Sequence, residues 1–383
     1  MSGFGFSEAQ EMFRREVRSF AQKELAPGAK ERAKLERVPQ QVVAKLTEAG
    51  LVGVSIPEKY GGQGADWVSL GIVAEELSKV DVSAFPVAVM PGIAFLCLQH
   101  GSEELRQEWL PRLSRGGKLV CWALTEPDAG SDAAAIKTSA AKKGDHYLLN
   151  GEKTSISLGA IADVAMVFAK TDPKARARGV SCFWVPLNLP GISRSYIPHT
   201  GLKPWGTGSI VLGEVSIAQN YLVGEEGKGF YITMEMADCA RVCLALMALG
   251  IAQASLEEAM SYAVQRTAFG QAIARFEGIS FKIAEEATLI EAARLLCYRA
   301  LYLMDQGLPH TKEAAMCKWW CPVVAVNAVH EALLIHGHVG YSEEYPLEQR
   351  LRDTIGLEYT DGTAQIMKIV IARELMGRVA VPY

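Results

Sequence analysis

A chain of 383 residues, 49 % apolar and 21 % charged, has an ordinary globular composition and room for two or three domains. Its net charge of −4 and pI near 6.1 give no reason to expect nucleic acid or an anionic membrane as partner. No run approaches the ~18 continuous apolar residues of a membrane span, and Met1-Ser2-Gly3-Phe4 opens without the basic and apolar regions of a secretory signal, so a cytoplasmic chain is expected.

In chain order, residues 1 to 119 read as helical. Ser7-Glu8-Ala9-Gln10 is a capping box, followed by Met12, Phe13, Val17, Phe20 and Ala21 at helical spacing. Further helical runs cover Val38 to Ala49 and Trp67 to Val80, with the loop Pro57 to Gly64 between them. The apolar segment Ala84 to Leu98 carries Pro86 and Pro91-Gly92, which are expected to kink or break it.

The pattern changes near Leu119. Short β-type runs follow: Tyr147 to Asn150, Val164 to Ala169, Val180 to Leu187, Ile192 to Ile197 and Ser209 to Leu212. Residues 120 to 225 therefore read as a small antiparallel β domain inserted between helical ones. From residue 226 the helical period returns over Tyr231 to Thr267, Ile279 to Asp305, Lys312 to His336 and Ala364 to Val379, which suggests a four-helix bundle at 226–383. The class is mainly α with an inserted β domain.

Eight cysteines are scattered without a Cys-x-x-Cys. Cys239/Cys243 and Cys317/Cys321 share helical faces, but their apolar neighbours favour buried reduced thiols over ligands. His336 and His338 lack a nearby third ligand, so no metal site is expected.

The most informative turn is Thr360-Asp361-Gly362-Thr363-Ala364-Gln365, ahead of an apolar helix. Asp-Gly is a common surface turn. A carboxylate in apolar surroundings, however, is desolvated, and its raised pKa makes it a better proton acceptor.

Five ordered motifs accompany that turn. Ala123-Leu124-Thr125-Glu126-Pro127-Asp128-Ala129-Gly130-Ser131-Asp132 is a loop of small and hydroxylated residues whose N–H groups suit a polar heterocycle or phosphate. Asn150-Gly151-Glu152-Lys153, Arg266-Thr267-Ala268-Phe269-Gly270, Leu333 to Asp353 and Tyr359 to Glu374 follow. Together they resemble the signatures of the acyl-CoA dehydrogenase family, from about Phe6 to Met376. The resemblance implies an all-α N-terminal domain, a middle β-barrel or sandwich domain, a C-terminal four-helix bundle, FAD as cofactor, acyl-CoA as substrate, electron-transferring flavoprotein as acceptor and a homotetramer.

It also implies roles for residues. Thr125 and Ser157 would hydrogen-bond the isoalloxazine ring, with Trp122 and Leu124 along it. Gly130 and Ser131 would meet the FAD pyrophosphate, Ser131 alternatively the thioester arm of CoA. Thr363 and Gln365 would touch the phosphate and ribityl region. Arg266 and Phe269 would reach the FAD of a neighbouring subunit. Asp238 and Arg241 would contact CoA: spacing alone favours a simple i,i+3 helix ion pair, and the family's register favours CoA binding. Val87 and Met90 would line the acyl cavity, and Gly362 would adjoin the substrate. Asp361 stands at the general-base position. A base there would take the α-proton while the flavin accepts the β-hydride, and the Asp361 N–H would bind the thioester carbonyl.

Several positions depart from the family pattern. Most members carry Glu at the base; Asp361 is one methylene shorter, by ~1.5 Å. The alternative base position is Ala240. Ser155 replaces an aromatic residue beside the flavin, Leu334 and His338 replace Gln and Gly near Gly337, and Glu277 replaces Gln. An Asp base with a pocket widened at Pro91-Gly92 resembles the branch acting on cyclohexane-type acyl-CoA esters. No acid lies between Val82 and His100 to serve diene formation, which favours cyclohexane-1-carboxyl-CoA to cyclohex-1-ene-1-carboxyl-CoA. The alternatives are a short- or branched-chain dehydrogenase, a diene-forming enzyme, a nitroalkane oxidase-like flavoenzyme, and a flavin- or CoA-binding member without activity.

Overall fold

The computed structural model describes residues 5–381. The helical first part comprises α1 (Glu8–Phe20), α2 (Ala29–Arg32), α3 (Gln40–Glu48), α4 (Trp67–Ser78), α5 (Ala84–Leu98) and α6 (Glu103–Ser114). The capping box starts α1: the Ser7 hydroxyl accepts the Gln10 N–H at 3.2 Å, and Gln10 Oε1 accepts the Ser7 N–H at 3.0 Å. α4 is buried from Val68 to Ser78 and is a core helix rather than a surface one.

α5 is not broken at Pro91-Gly92. It runs without interruption from Ala84 to Leu98. Pro86 falls in the first turn, where no N–H is needed, and Pro91 forfeits one helical bond inside a helix buried on almost every side. Gly92 is there for packing: a Cβ would lie 2.4 Å from Ser55 Oγ and 3.0 Å from Leu70 Cδ2.

The middle part holds β1 (Val120–Ala123), β2 (Ser139–Lys143), β3 (His146–Ile156), β4 (Val164–Lys170), β5 (Val180–Pro186), β6 (Ile192–Tyr196), β7 (Gly208–Ala218) and β8 (Leu222–Val223). They form one sheet in the order β6-β7-β3-β2-β4-β5-β8, with β1 beside β4. The sheet is mixed rather than antiparallel throughout. β1 runs parallel to β4, Val120 opposite Val164, and β2 meets β4 in parallel at Ser139 and Lys170. Parallel pairs are joined by crossovers and leave no hairpin signal in the local sequence.

The C-terminal part contains α7 (Gly229–Gln265), the short hairpin β9 (Thr267–Ala268) and β10 (Gln271–Ala272), α8 (Glu277–Asp305), α9 (Thr311–His336), α10 (His338–Tyr341), α11 (Leu347–Leu357) and α12 (Ala364–Met376). α11 joins the four expected helices. α7 is long and apolar enough to cross a membrane, but 89 % of its most apolar window is buried inside the protein, which makes it the central helix of the core. Two carboxylates help to fasten this bundle to the N-terminal helices. Glu75 accepts Arg294 Nε and Tyr298 OH, both at 2.7 Å. Asp305 accepts the Trp67 and Val68 N–H groups that open α4. All eight cysteines are buried free thiols.

Candidate active site

Asp361 lies in the turn between α11 and α12. Thr363 caps α12, its hydroxyl accepting the Ile366 N–H at 3.4 Å. Asp361 has φ +56°, a left-handed conformation that costs a non-glycine residue ~1–2 kcal/mol and persists only where the surroundings impose it. The surroundings do so from two sides. Arg241 Nε on α7 donates to the Asp361 carbonyl at 3.3 Å, and Lys318 Nζ on α9 donates to the carbonyls of Leu357 at 2.9 Å and Glu358 at 3.4 Å. Thr360 Oγ1 adds a bond to the Gly356 carbonyl. The Asp361 N–H has no hydrogen-bond partner among the described residues.

Burial pushes the Asp361 acid upward, and Lys318 and Arg241 pull it only part of the way back. The net rise suits a proton acceptor. Ala240, beside Arg241, is a buried apolar residue.

Asp238 and Arg241 form the i,i+3 ion pair, Arg241 Nη1 to Asp238 Oδ1 at 3.1 Å, and Thr311 Oγ1 donates to the other Asp238 oxygen at 2.6 Å. Both are buried, at 6 % and 7 % exposed, and Arg241 also reaches the Asp361 turn through its Nε.

The loop expected to hold flavin leaves β1 at Ala123. Lys153 on β3, fully buried, donates to the Leu124 carbonyl at 3.0 Å and to Glu126 Oε1 at 2.7 Å. Glu126 also accepts the Lys137 and Thr138 N–H groups, so its burial is fully compensated. The Thr154 N–H donates to the Thr125 carbonyl at 3.0 Å, which joins the ends of β1 and β3. Thr125 and Ser157 are both half-buried, and the hydroxyl of neither bonds to protein among the described residues. Trp122 Nε1 donates to Thr233 Oγ1 on α7 at 2.9 Å, which fixes the indole. Gly130 and Ser131 are exposed, with open space over Gly130. Free hydroxyl donors, an anchored indole and a glycine-bearing turn fit a flavin. Ser155, also at φ +56°, sits at an irregularity between Lys153 and Ile156 where β3 loses register with β7.

Val87 and Met90 line a small cleft with Pro91, Leu119 and Val120. Asp361 is not among its lining residues.

The remaining expected residues gather elsewhere. Arg266 follows α7, Phe269 forms the β9–β10 tip, Glu277 opens α8, and Leu334, Gly337 and His338 end α9 and open α10; all are exposed. Arg241 and Gln265 lie on one helix, separated by roughly 36 Å at ~1.5 Å per residue. This cluster and the Asp361 turn therefore occupy opposite ends of the bundle. Lys318, Glu126 and Thr233 were not singled out in sequence. Lys318 had a usable signal: a lone cation in the apolar run Ala314-Ala315-Met316-Cys317-Lys318-Trp319-Trp320-Cys321.

Three family models cover the chain: the acyl-CoA dehydrogenase N-terminal domain at residues 7–117, the middle domain at 121–215 and the C-terminal domain at 227–376. The chain belongs to the acyl-CoA dehydrogenase family. Its relatives include a short-chain specific acyl-CoA dehydrogenase of Clostridium acetobutylicum, 36 % identical over 97 % of this chain and 99 % of that protein. Another is a 3-(aryl)acrylate reductase of Clostridium sporogenes, 38 % identical over the same shares. A solved structure described under "Electron transferring flavoprotein of Acidaminococcus fermentans: Towards a mechanism of flavin-based electron bifurcation" superposes with a TM-score of 0.95 at 37 % identity, over 97 % of this chain and 99 % of that one. This acyl-CoA dehydrogenase has the three-part fold of its family and uses FAD to oxidise acyl-CoA thioesters.

Proposed function

We propose that the enzyme dehydrogenates an acyl-CoA whose α-carbon is hindered, with cyclohexane-1-carboxyl-CoA to cyclohex-1-ene-1-carboxyl-CoA as the best candidate reaction. The observation that carries this reading is Asp361 itself. It is the carboxylate at the base position, its backbone is clamped by Arg241, and it stops ~1.5 Å short of a Glu. A clamped, shortened base leaves room for a bulkier α-carbon and reaches a linear one poorly. The unbroken α5 removes pocket widening at Pro91-Gly92 from the argument.

FAD supplies the acceptor for the β-hydrogen and its electron pair. Asp361 removes the α-proton as the C–H pair becomes the new Cα=Cβ bond. The free Asp361 N–H is available to the thioester oxygen, where negative charge develops. Arg241, held by its ion pair with Asp238, keeps the turn in place, and both remain the side chains we assign to CoA contact.

A second reading, a straight short-chain acyl-CoA, is favoured by the short-chain specific relative. The aryl-substituted substrate in the other relative's name supports tolerance of a ring. Electron-transferring flavoprotein is the acceptor we assign, in line with the structural relative described with it, and the cytoplasm is the compartment we propose. We propose a homotetramer, as the family resemblance implies; the roughly 36 Å along α7 between Arg241 and Gln265 supports Arg266 and Phe269 serving the FAD of a neighbouring copy.

Anaerobic titration with linear, branched and cyclic acyl-CoA esters, followed by loss of flavin absorbance, tests the reading. Cyclohexane-1-carboxyl-CoA is expected to bleach the flavin faster than butyryl- or octanoyl-CoA. A strong preference for the straight chains overturns the hindered-substrate assignment. Asp361→Asn is expected to retain FAD and lose bleaching; bleaching at the parent rate overturns the base.

A further inference from the structure

The structure assigns to Lys318 a positioning role in the reaction: its ammonium anchors the turn that carries Asp361 and supplies the positive charge against which Asp361 stays ionised. This inference rests on Asp361 being the base.

Lys318 is fully buried on α9. A buried ammonium is costly unless it is paired. No carboxylate lies within ion-pair distance of it among the described residues, and its hydrogen-bond partners are the carbonyls of Leu357 and Glu358. Those carbonyls close α11, at the negative end of its dipole. Three residues later the chain reaches Asp361. The ammonium therefore fixes where the turn begins, while Arg241 fixes the Asp361 carbonyl.

The titratable and charged groups facing Lys318 come from the elements around it: Asp361 on the turn, Glu358 at the end of α11, Arg241 on α7 and the Cys321 thiol on α9 itself. Of these, Asp361 favours the ammonium most. In return, Lys318 is the strongest charge acting on Asp361, ahead of Arg241. Arg241 is offset by its own ion pair with Asp238, whereas Lys318 has no such partner. Its positive charge is left to act on the base. Burial lowers the Lys318 pKa to about 8, so it remains cationic at neutral pH. Anchoring two carbonyls asks only for a neutral donor. A charge is needed only if something nearby must be kept negative.

The test uses the FAD-loaded enzyme and anaerobic stopped-flow bleaching by cyclohexane-1-carboxyl-CoA, or butyryl-CoA if that ester is faster, from about pH 5 to about pH 9. Lys318→Met removes charge and donor, Lys318→Gln keeps a donor without charge, and Lys318→Arg keeps the charge. Without its cation Asp361 holds its proton more tightly. The acid limb of the rate profile should therefore move upward by about one pH unit in the Met and Gln variants and return toward the parent in the Arg variant. KM should change little, because the loss lies in the proton-transfer step. Thermal melting and bound-FAD absorbance identify a misfolded Met variant, in which case the Gln variant decides. A Gln variant that keeps FAD and the parent's acid limb overturns the role. Asp361→Asn measured alongside separates the two claims: bleaching by that variant defeats the base assignment, whereas an inert Asp361→Asn with an unshifted Lys318→Gln defeats Lys318 alone.

Discussion

Lys153 Nζ stands 2.7 Å from Glu126 Oε1 and 3.0 Å from the Leu124 carbonyl, so one buried ammonium ties the entry of the flavin loop to the loop's own carboxylate. Removing one member leaves the other buried and unpaired, at a cost of ~3–5 kcal/mol. Lys153→Met should lower the melting temperature and release FAD on gel filtration. The double variant Glu126→Gln/Lys153→Met should recover part of the stability, because no charge is stranded. A Lys153→Met protein that retains stoichiometric FAD and the parent's melting temperature would show that the pair does not hold the loop.

Asp353 on α11 accepts the Leu202 N–H at 2.6 Å and Gln349 Nε2 at 2.7 Å, joining the bundle to the β domain. Burial raises its pKa from 3.8 to about 6. The folded state therefore holds this proton more tightly than the unfolded chain does. The resulting stabilisation is complete below pH ~4 and is lost as pH rises through about 6. Asp353→Asn has an acceptor and no ionisation. Its stability relative to the parent should improve between those values and level off above them, by on the order of 3 kcal/mol. Urea denaturation at acidic and alkaline pH measures the difference, and a difference independent of pH excludes titration of Asp353 in the folded protein.

The order helix, sheet, helix was readable because it is written in local patterns: the Ser7–Gln10 box, the 3.6-residue spacing of α1 and the apolar runs of β4 and β5. What stayed hidden depends on partners distant in sequence. Pro91 looks like a helix breaker until Ser55 and Leu70 are found packed against Gly92. β1 and β2 are short, and their parallel pairing with β4 is made by a crossover. Asp361 was visible as an acid in an apolar setting. Arg241 was legible as an ion-pair partner and, by resemblance, as a CoA contact, but not in its bond to the Asp361 carbonyl, which joins residues 120 apart in sequence.

Gly250 brings α7 against α4. A Cβ there would sit 2.4 Å from the Glu75 carbonyl oxygen, a backbone atom that moves only if α4 moves. Gly250→Ala should destabilise the protein by about 1–3 kcal/mol despite its gain in helix propensity. It should also disturb the adjoining bonds from Arg294 and Tyr298 to Glu75. Thermal denaturation checks this; an unchanged or raised melting temperature means that the helices have slack at this crossing.

Phe269 is 95 % exposed at the β9–β10 tip, at φ +52°, with Phe276 edge-on at 6.0 Å. A large apolar side chain this exposed contributes little to the single chain and much to an interface that covers it. Phe269→Ala should leave the secondary structure intact while it weakens assembly and FAD retention together. Sedimentation velocity with flavin absorbance detection reads both. Unchanged assembly and FAD content would place Phe269 outside any subunit contact.

Asp361→Glu tests why the base is short. The turn is held through backbone carbonyls at Leu357, Glu358 and Asp361, so a longer side chain leaves the anchors alone and advances the carboxylate by ~1.5 Å. Toward a straight-chain ester that movement closes the distance to the α-carbon, and kcat should rise by roughly tenfold or more, since proton transfer depends steeply on approach. Toward cyclohexane-1-carboxyl-CoA the same movement crowds the ring, and kcat/KM should fall. The informative quantity is the ratio of kcat/KM for the two esters, because a general loss of folding lowers both and leaves the ratio unchanged. An unaltered ratio in a well-folded, FAD-loaded variant would mean that the pocket walls, rather than the reach of Asp361, choose the acyl group.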